Sequence, residues 1–162
     1  MERSAIQNQN ELNKMKGFSL IEVLIVLLVI SLMVVAAVPQ VTHSLRLYRL
    51  ESSAGLLSNR LTEARLTAIK HNRPAWVEID SANSRFEVWT TNQNNQPIRT
   101  KLAVPIPSDV TIVSGAPTRI TFNSLGRNQA NSNVVVSLRL NRQNFCKSIT
   151  VSAVGNISTT FC

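Results

Sequence analysis

From Phe18 to Val38 the chain is apolar except at Ser19, Glu22 and Ser31, a run long enough to cross a hydrocarbon core of about 30 Å as a helix. After Pro39 the apolar positions turn periodic. Leu47, Leu50, Ala54, Leu57, Leu61, Ala64 and Ala68 recur at steps of three and four, the stripe of an amphipathic helix, while Arg46, Arg49, Glu51, Arg60, Glu63 and Arg65 fall off it. Asn72 and Pro74 supply a stop signal. The pattern predicts one helix from Phe18 to about His71, loosened near Pro39, where the ring removes a backbone hydrogen bond.

Beyond Pro74 the period drops to two. Trp76–Asp80 and Arg85–Trp89 flank Ser81-Ala82-Asn83-Ser84 and predict a hairpin. Further strands are predicted at Ile98–Val104, Val110–Val113, Arg119–Phe122, Val134–Leu140, Ser148–Val154 and Ile157–Phe161, with polar loops over 92–97 and 126–133. The expected fold is α+β, a long N-terminal α-helix packed on antiparallel β-sheet. It divides into a leader (1–17), an apolar helix (18–38), the amphipathic half of that helix (39–73) and an antiparallel β globular domain (74–162).

Glu22 stands out in the apolar run. A charged acid within a bilayer costs at least about 2.5 to 3.5 kcal/mol on insertion scales, so such a residue faces a partner rather than lipid. A secretory signal has an apolar core of about 7 to 15 residues and a small-x-small cleavage site, which this longer run lacks. A plain single-pass anchor, held with its amino terminus in the cytoplasm by Arg3, Lys14 and Lys16, explains the length but neither Glu22 nor the Gly17-Phe18 junction.

At Lys16-Gly17-Phe18-Ser19-Leu20-Ile21-Glu22 the chain resembles the type IV pilin superfamily, whose precursors carry a leader ending in glycine, then phenylalanine, then an apolar helix with glutamate at the fifth mature position. The resemblance implies cleavage between Gly17 and Phe18 by a prepilin peptidase of the inner membrane, N-methylation of Phe18, and pairing of Glu22 with a neighbouring subunit's terminal amine. Pro39 falls where many pilins kink or melt the helix. Leu61-Thr62-Glu63-Ala64-Arg65, Ile120–Arg127 and Ile149-Thr150-Val151-Ser152 before Gly155 resemble the minor pilins of the FimT, FimU and GspH group. The implied function is a minor pilin of a type IV pilus, partnered by other major and minor pilins in a priming or tip complex. Its anchor lies in the inner membrane and its globular domain in the periplasm before export into the pilus. Within that group, Pro39 and the two cysteines lean toward the pilus over a type II secretion pseudopilin.

The formal charge of +8 falls to +7 without residues 1–17, which hold Arg3, Lys14 and Lys16 against Glu2 and Glu11. No acid follows Asp109, whereas Arg119, Arg127, Arg139, Arg142 and Lys147 do, so the final third attracts polyanions or is a solvated basic face. Some FimT-like proteins are DNA receptors in natural transformation, and the resemblance places that activity in a Gly-Arg-x-Arg tail. The matching positions are Gly155, Asn156, Ile157 and Ser158, so both arginines are absent; Gly126-Arg127 and the other basic residues remain as a candidate DNA surface. Cys146 and Cys162, on the exported side, are expected to form a disulfide worth roughly 3 kcal/mol. His43 and His71 have no metal-ligand spacing with either cysteine, and no cofactor or metal is expected. Without a nucleophile elbow, a phosphate-binding glycine loop or paired carboxylates, catalysis is not expected either.

Overall fold

A computed structural model describes residues 17–113, 115–141 and 144–162. They fall into two compact units, one ending at Thr42 and the other running from His43 to Cys162. The one long helix among the described residues, α1 (Leu20–His71), contributes to both and is unbroken through Pro39, where the sequence predicts loosening. One missing backbone bond does not end a helix whose ladder continues on either side.

In the first unit the apolar side chains point outward in all directions. Among the described residues exposure ranges from 43% at Val29 to 77% at Leu20. In the second unit the stripe is inverted. Leu50, Ala54, Leu57, Leu61, Ala64 and Ala68 are all buried, with Leu47 packed at the margin. The helix closes as its stop signal predicts: Asn72 adopts φ 50°, its N–H donates to Ile69 O (3.3 Å), and Arg73 N–H donates to Ala68 O (3.1 Å). These are the paired bonds of a Schellman cap, and Pro74 follows where no helix can continue.

The strands are β1 (Ala75–Asp80), β2 (Arg85–Thr91), β3 (Pro97–Arg99), β4 (Val104–Pro105), β5 (Val110–Ile112), β6 (Arg119–Phe122), β7 (Val134–Leu140), β8 (Cys146–Val151) and β9 (Ile157–Phe161). All pairings are antiparallel, but the strands divide between two sheets. The first runs β3-β2-β1-β6 with β4 also on β2, and the second runs β5-β7-β8-β9. Val77, Phe86, Val88, Ile120 and Phe122 from the first sheet meet Val136, Leu138, Leu140, Ile149 and Val151 from the second and the stripe of α1 in one shared core.

Two predicted strands are corrected. Ile98–Val104 is broken, because between Trp89↔Arg99 and Arg85↔Pro105 four steps on β2 are matched by six on the opposing segment. The surplus bulges outward, leaving Leu102 at 81% exposure and bringing Lys101 to Glu63 on α1. Ser148–Val154 is shifted to Cys146–Val151, because Ser152 N–H donates to Asn156 O (2.8 Å) and Gly155 N–H to Ser152 O (2.9 Å), a tight turn that ends the strand.

Candidate functional site

The first candidate site opens α1. Ser19 O accepts from Glu22 N–H (3.0 Å) and Val23 N–H (3.2 Å), which places the Glu22 carboxylate in the first turn, where the helix dipole favours an anion. Phe18, 82% exposed, lines a hollow of about 290 Å³ with Glu22, Val23, Val26 and Leu27. A carboxylate thus stands at the rim of an otherwise apolar surface. Gly17 is described as far as its own position and the rest of the leader lies outside the described residues.

The basic candidates do not form one surface. Arg139 faces Cys146 and Lys147 faces Leu138 across the β7–β8 ladder, so the two side chains leave opposite faces of the second sheet. Lys147 is on the core side. It is buried, binds Glu51 (Nζ–Oε2 2.7 Å) and sits 3.8 Å from the centre of the Phe161 ring. Arg119 lies on the outer face of the first sheet, 4.8 Å over Trp76, with Glu78 as its cross-strand neighbour. Glu87 on the same face takes contacts from Arg85 and Arg99 (3.4 Å each) and from Trp89 Nε1 (3.2 Å), so this face is a mixed-charge network. Arg127 and Arg139 are exposed, and Arg142 lies outside the described residues.

Cys146 and Cys162 are joined by a disulfide, with Cα atoms 5.6 Å apart, pinning β9 to β8. A second fastening leaves no local signal in the sequence. Arg65, half-buried on α1, donates from Nε to Gly126 O (3.0 Å), and Gly155 packs directly on that same carbonyl. Both glycines have positive φ, 73° and 85°. At Gly126 a Cβ would come within 2.6 Å of Ile69 Cδ1; at Gly155 it would strike backbone. Gly155, the residue matched to the Gly-Arg-x-Arg tail, therefore has a packing role here. Only its place in a Gly-containing turn hinted at that.

Two carboxylates are also tuned by contacts the sequence does not display. Burial would raise Glu63, but hydrogen bonds from Lys101 and Arg60 outweigh it and hold the carboxyl below the ordinary range. Asp80 is lowered chiefly by the side-chain and backbone N–H groups of Asn83, with Arg85 adding to them.

The family model described as type II transport protein GspH matches residues 53–155, and the prokaryotic N-terminal methylation motif matches residues 12–38. Among solved structures, the type IV minor pilin FimU of Pseudomonas aeruginosa is similar, at 15% identity and TM-score 0.58 over 68% of this chain and 87% of that one. The minor pseudopilin EpsH from the type 2 secretion system of Vibrio cholerae is similar at 14% identity and TM-score 0.58, over 70% and 97%. No curated protein matches the chain significantly.

Proposed function

The chain belongs to the GspH family of minor pilins and pseudopilins, and from that premise we propose that it is a minor pilin of a type IV pilus, inserted as part of a priming or tip complex. The observation that carries this reading is that the stretch of α1 in the first unit exposes its described apolar side chains and carries one carboxylate, Glu22, in its first turn. Such a helix can exchange lipid for the helices of major and minor pilins at little hydrophobic cost, since both surroundings are apolar. The carboxylate then sets register, because it is satisfied only against a cation such as the methylated amine of Phe18 on a neighbour. In this reading prepilin peptidase removes residues 1–17, residues 18–38 anchor the subunit in the inner membrane with the amino terminus cytoplasmic, and the β domain stands in the periplasm until export. Residues 39–73 link the anchor to that domain.

The test is direct. Intact mass of the membrane-extracted protein should begin at methylated Phe18, and Glu22→Val should insert into the membrane normally yet fail to enter filaments. Normal assembly of Glu22→Val would refute the register role.

A secretion pseudopilin is the second reading, favoured by the family description and the likeness to EpsH. The terminal disulfide and Pro39 favour the pilus instead, by the resemblance drawn from the sequence. Deleting the gene should remove piliation and leave secretion intact; the reverse outcome would select the pseudopilin. For DNA reception, the exposed Arg127 and Arg139 are the usable cations, while Lys147 is committed to Glu51 and Arg119 sits among acids. If the protein serves as a pilus subunit, Arg127→Gln with Arg139→Gln should change DNA uptake little; loss of uptake with piliation intact would select the DNA receptor.

A further inference from the structure

We propose that β9 is a docking edge for a second copy of this chain, the two β9 strands pairing antiparallel about a two-fold axis at Thr159. This edge lies wholly within the second unit, and its use does not depend on whether the chain serves a pilus or a secretion system. A sheet edge offers unpaired N–H and C=O groups to another strand, and proteins blunt such edges with charge, proline, bulges, shortness or a covering loop. The other sheet edges here are blunted. The edge formed by β3 and β4 carries Pro97, Arg99 and Pro105, with the bulge between the two strands. β6 is covered by the loop that follows it, where Asn123 N–H donates to Arg127 O (2.9 Å) and Gln129 N–H donates to Thr121 O (2.9 Å). β5 is only three residues long, and its Val110 N–H is already taken by Pro107 O (2.9 Å).

β9 has none of these devices. It runs five residues in unbroken register with β8, and no charged side chain occurs from Ser148 to Cys162. The direction of its backbone groups is fixed from both ends. Cys162 N–H donates to Cys146 O (3.4 Å) and Ser152 N–H donates to Asn156 O (2.8 Å), so by alternation Ser158 and Thr160 also turn their backbone groups toward β8. Ile157, Thr159 and Phe161 then turn theirs outward, and no hydrogen bond among the described residues takes them. The Cys146–Cys162 disulfide holds this open edge in place.

Self-complementarity selects the occupant. Pairing about Thr159 sets Thr159 against Thr159 and Ile157 against Phe161 of the second copy. These are the residues whose backbone groups face outward, so each pair exchanges two hydrogen bonds, the source of affinity when a strand is added to a sheet. Directly opposite residues share a sheet face. Phe161, 70% exposed, therefore meets the half-buried Ile157 of the other copy in an aromatic–β-branched pair, and no like charges are brought together. The contact uses the same patch on both copies, and the far edge, β5, is short, so association closes as a dimer instead of growing into a fibre.

The full chain should be purified in detergent micelles and its association followed by sedimentation velocity, where a concentration-dependent dimer is expected. Thr159→Pro deletes both central hydrogen bonds of the dimer while sparing the β8 ladder, because the Thr159 N–H faces outward. It should weaken dimerisation on the order of thirtyfold, the loss of two backbone hydrogen bonds. Thr159→Lys, which sets like charges directly opposite, should weaken it as well, and both variants should keep the circular dichroism of the wild type. Thr159→Cys should form a disulfide between copies under mild oxidation, since bonded pairs on antiparallel strands hold their Cα atoms about 5.5 Å apart. Peptide mapping should then link position 159 of one copy to position 159 of the other. A monomer at every concentration would overturn the proposal. So would a dimer that both Thr159→Pro and Thr159→Lys leave unchanged, which would move the contact to another surface such as the apolar helix, and so would a Thr159→Cys dimer that does not crosslink at that position.

Discussion

Three glycine-to-alanine substitutions separate three kinds of backbone constraint in one protein. Gly55 lies inside α1 with ordinary helical φ and open space around its Cα, so Gly55→Ala should stabilise the second unit by about 0.5 to 1 kcal/mol. Gly115 has φ 87° but also open space, and there alanine should meet only the left-handed penalty, about 1 to 2 kcal/mol. Gly155 has nearly the same φ, 85°, but an added Cβ would strike the Gly126 carbonyl, which cannot swing aside as a side chain would. Gly155→Ala should therefore cost the left-handed penalty plus about 1 to 3 kcal/mol of overpacking. In a 43–162 fragment about 1 kcal/mol corresponds to roughly 3 to 6 °C of thermal midpoint. The order by differential scanning calorimetry should be Gly55→Ala above wild type, then Gly115→Ala, then Gly155→Ala. If Gly155→Ala and Gly115→Ala melt together, the close approach of the two loops carries no energy and the reasoning fails.

Reducing the disulfide, or replacing Cys162 by Ser, should lower the same midpoint by an amount matching about 2 to 4 kcal/mol, and an unchanged melt on reduction would refute a stabilising crosslink. Glu63 and Asp80 have folded pKa values below their ordinary ones of about 4.3 and 3.9, so their contribution is present above those values and lost as pH falls through the lower folded ones. The urea midpoint should therefore decline below about pH 4.5. Lys101→Met, which removes the leading hydrogen-bond partner of Glu63, should flatten that decline, and superimposable profiles would count against the pairing.

What could be read from the sequence was local. The stripe from Leu47 to Ala68 and the hairpin around Ser81–Ser84 are set by residues a few positions apart, and both stand in the structure. The division into two sheets could not be read, because it depends on β5 passing over β6 to pair with β7. The broken strand at Lys101–Ala103 depends on a register shift against β2 that leaves the local alternation intact. At the candidate sites, alternation placed Arg139 outward but gave no warning that Lys147 would be engaged by Glu51, 96 positions away. Arg65 lies off the apolar stripe, and its bond to Gly126, 61 positions on, is what assigns it a task.

The meeting of Arg65, Gly126 and Gly155 has a mechanical consequence. The loop 123–127 follows β6 of the first sheet and the loop 152–156 follows β8 of the second, and the two sheets share no strand. Asn128 N–H donates to Ala153 O (3.2 Å) beside the glycine contact, so the loops are tied to each other as well as to α1. A pull on α1 is therefore passed to both sheets at this junction. Under load the junction would couple both sheets to α1 in addition to the core that they share.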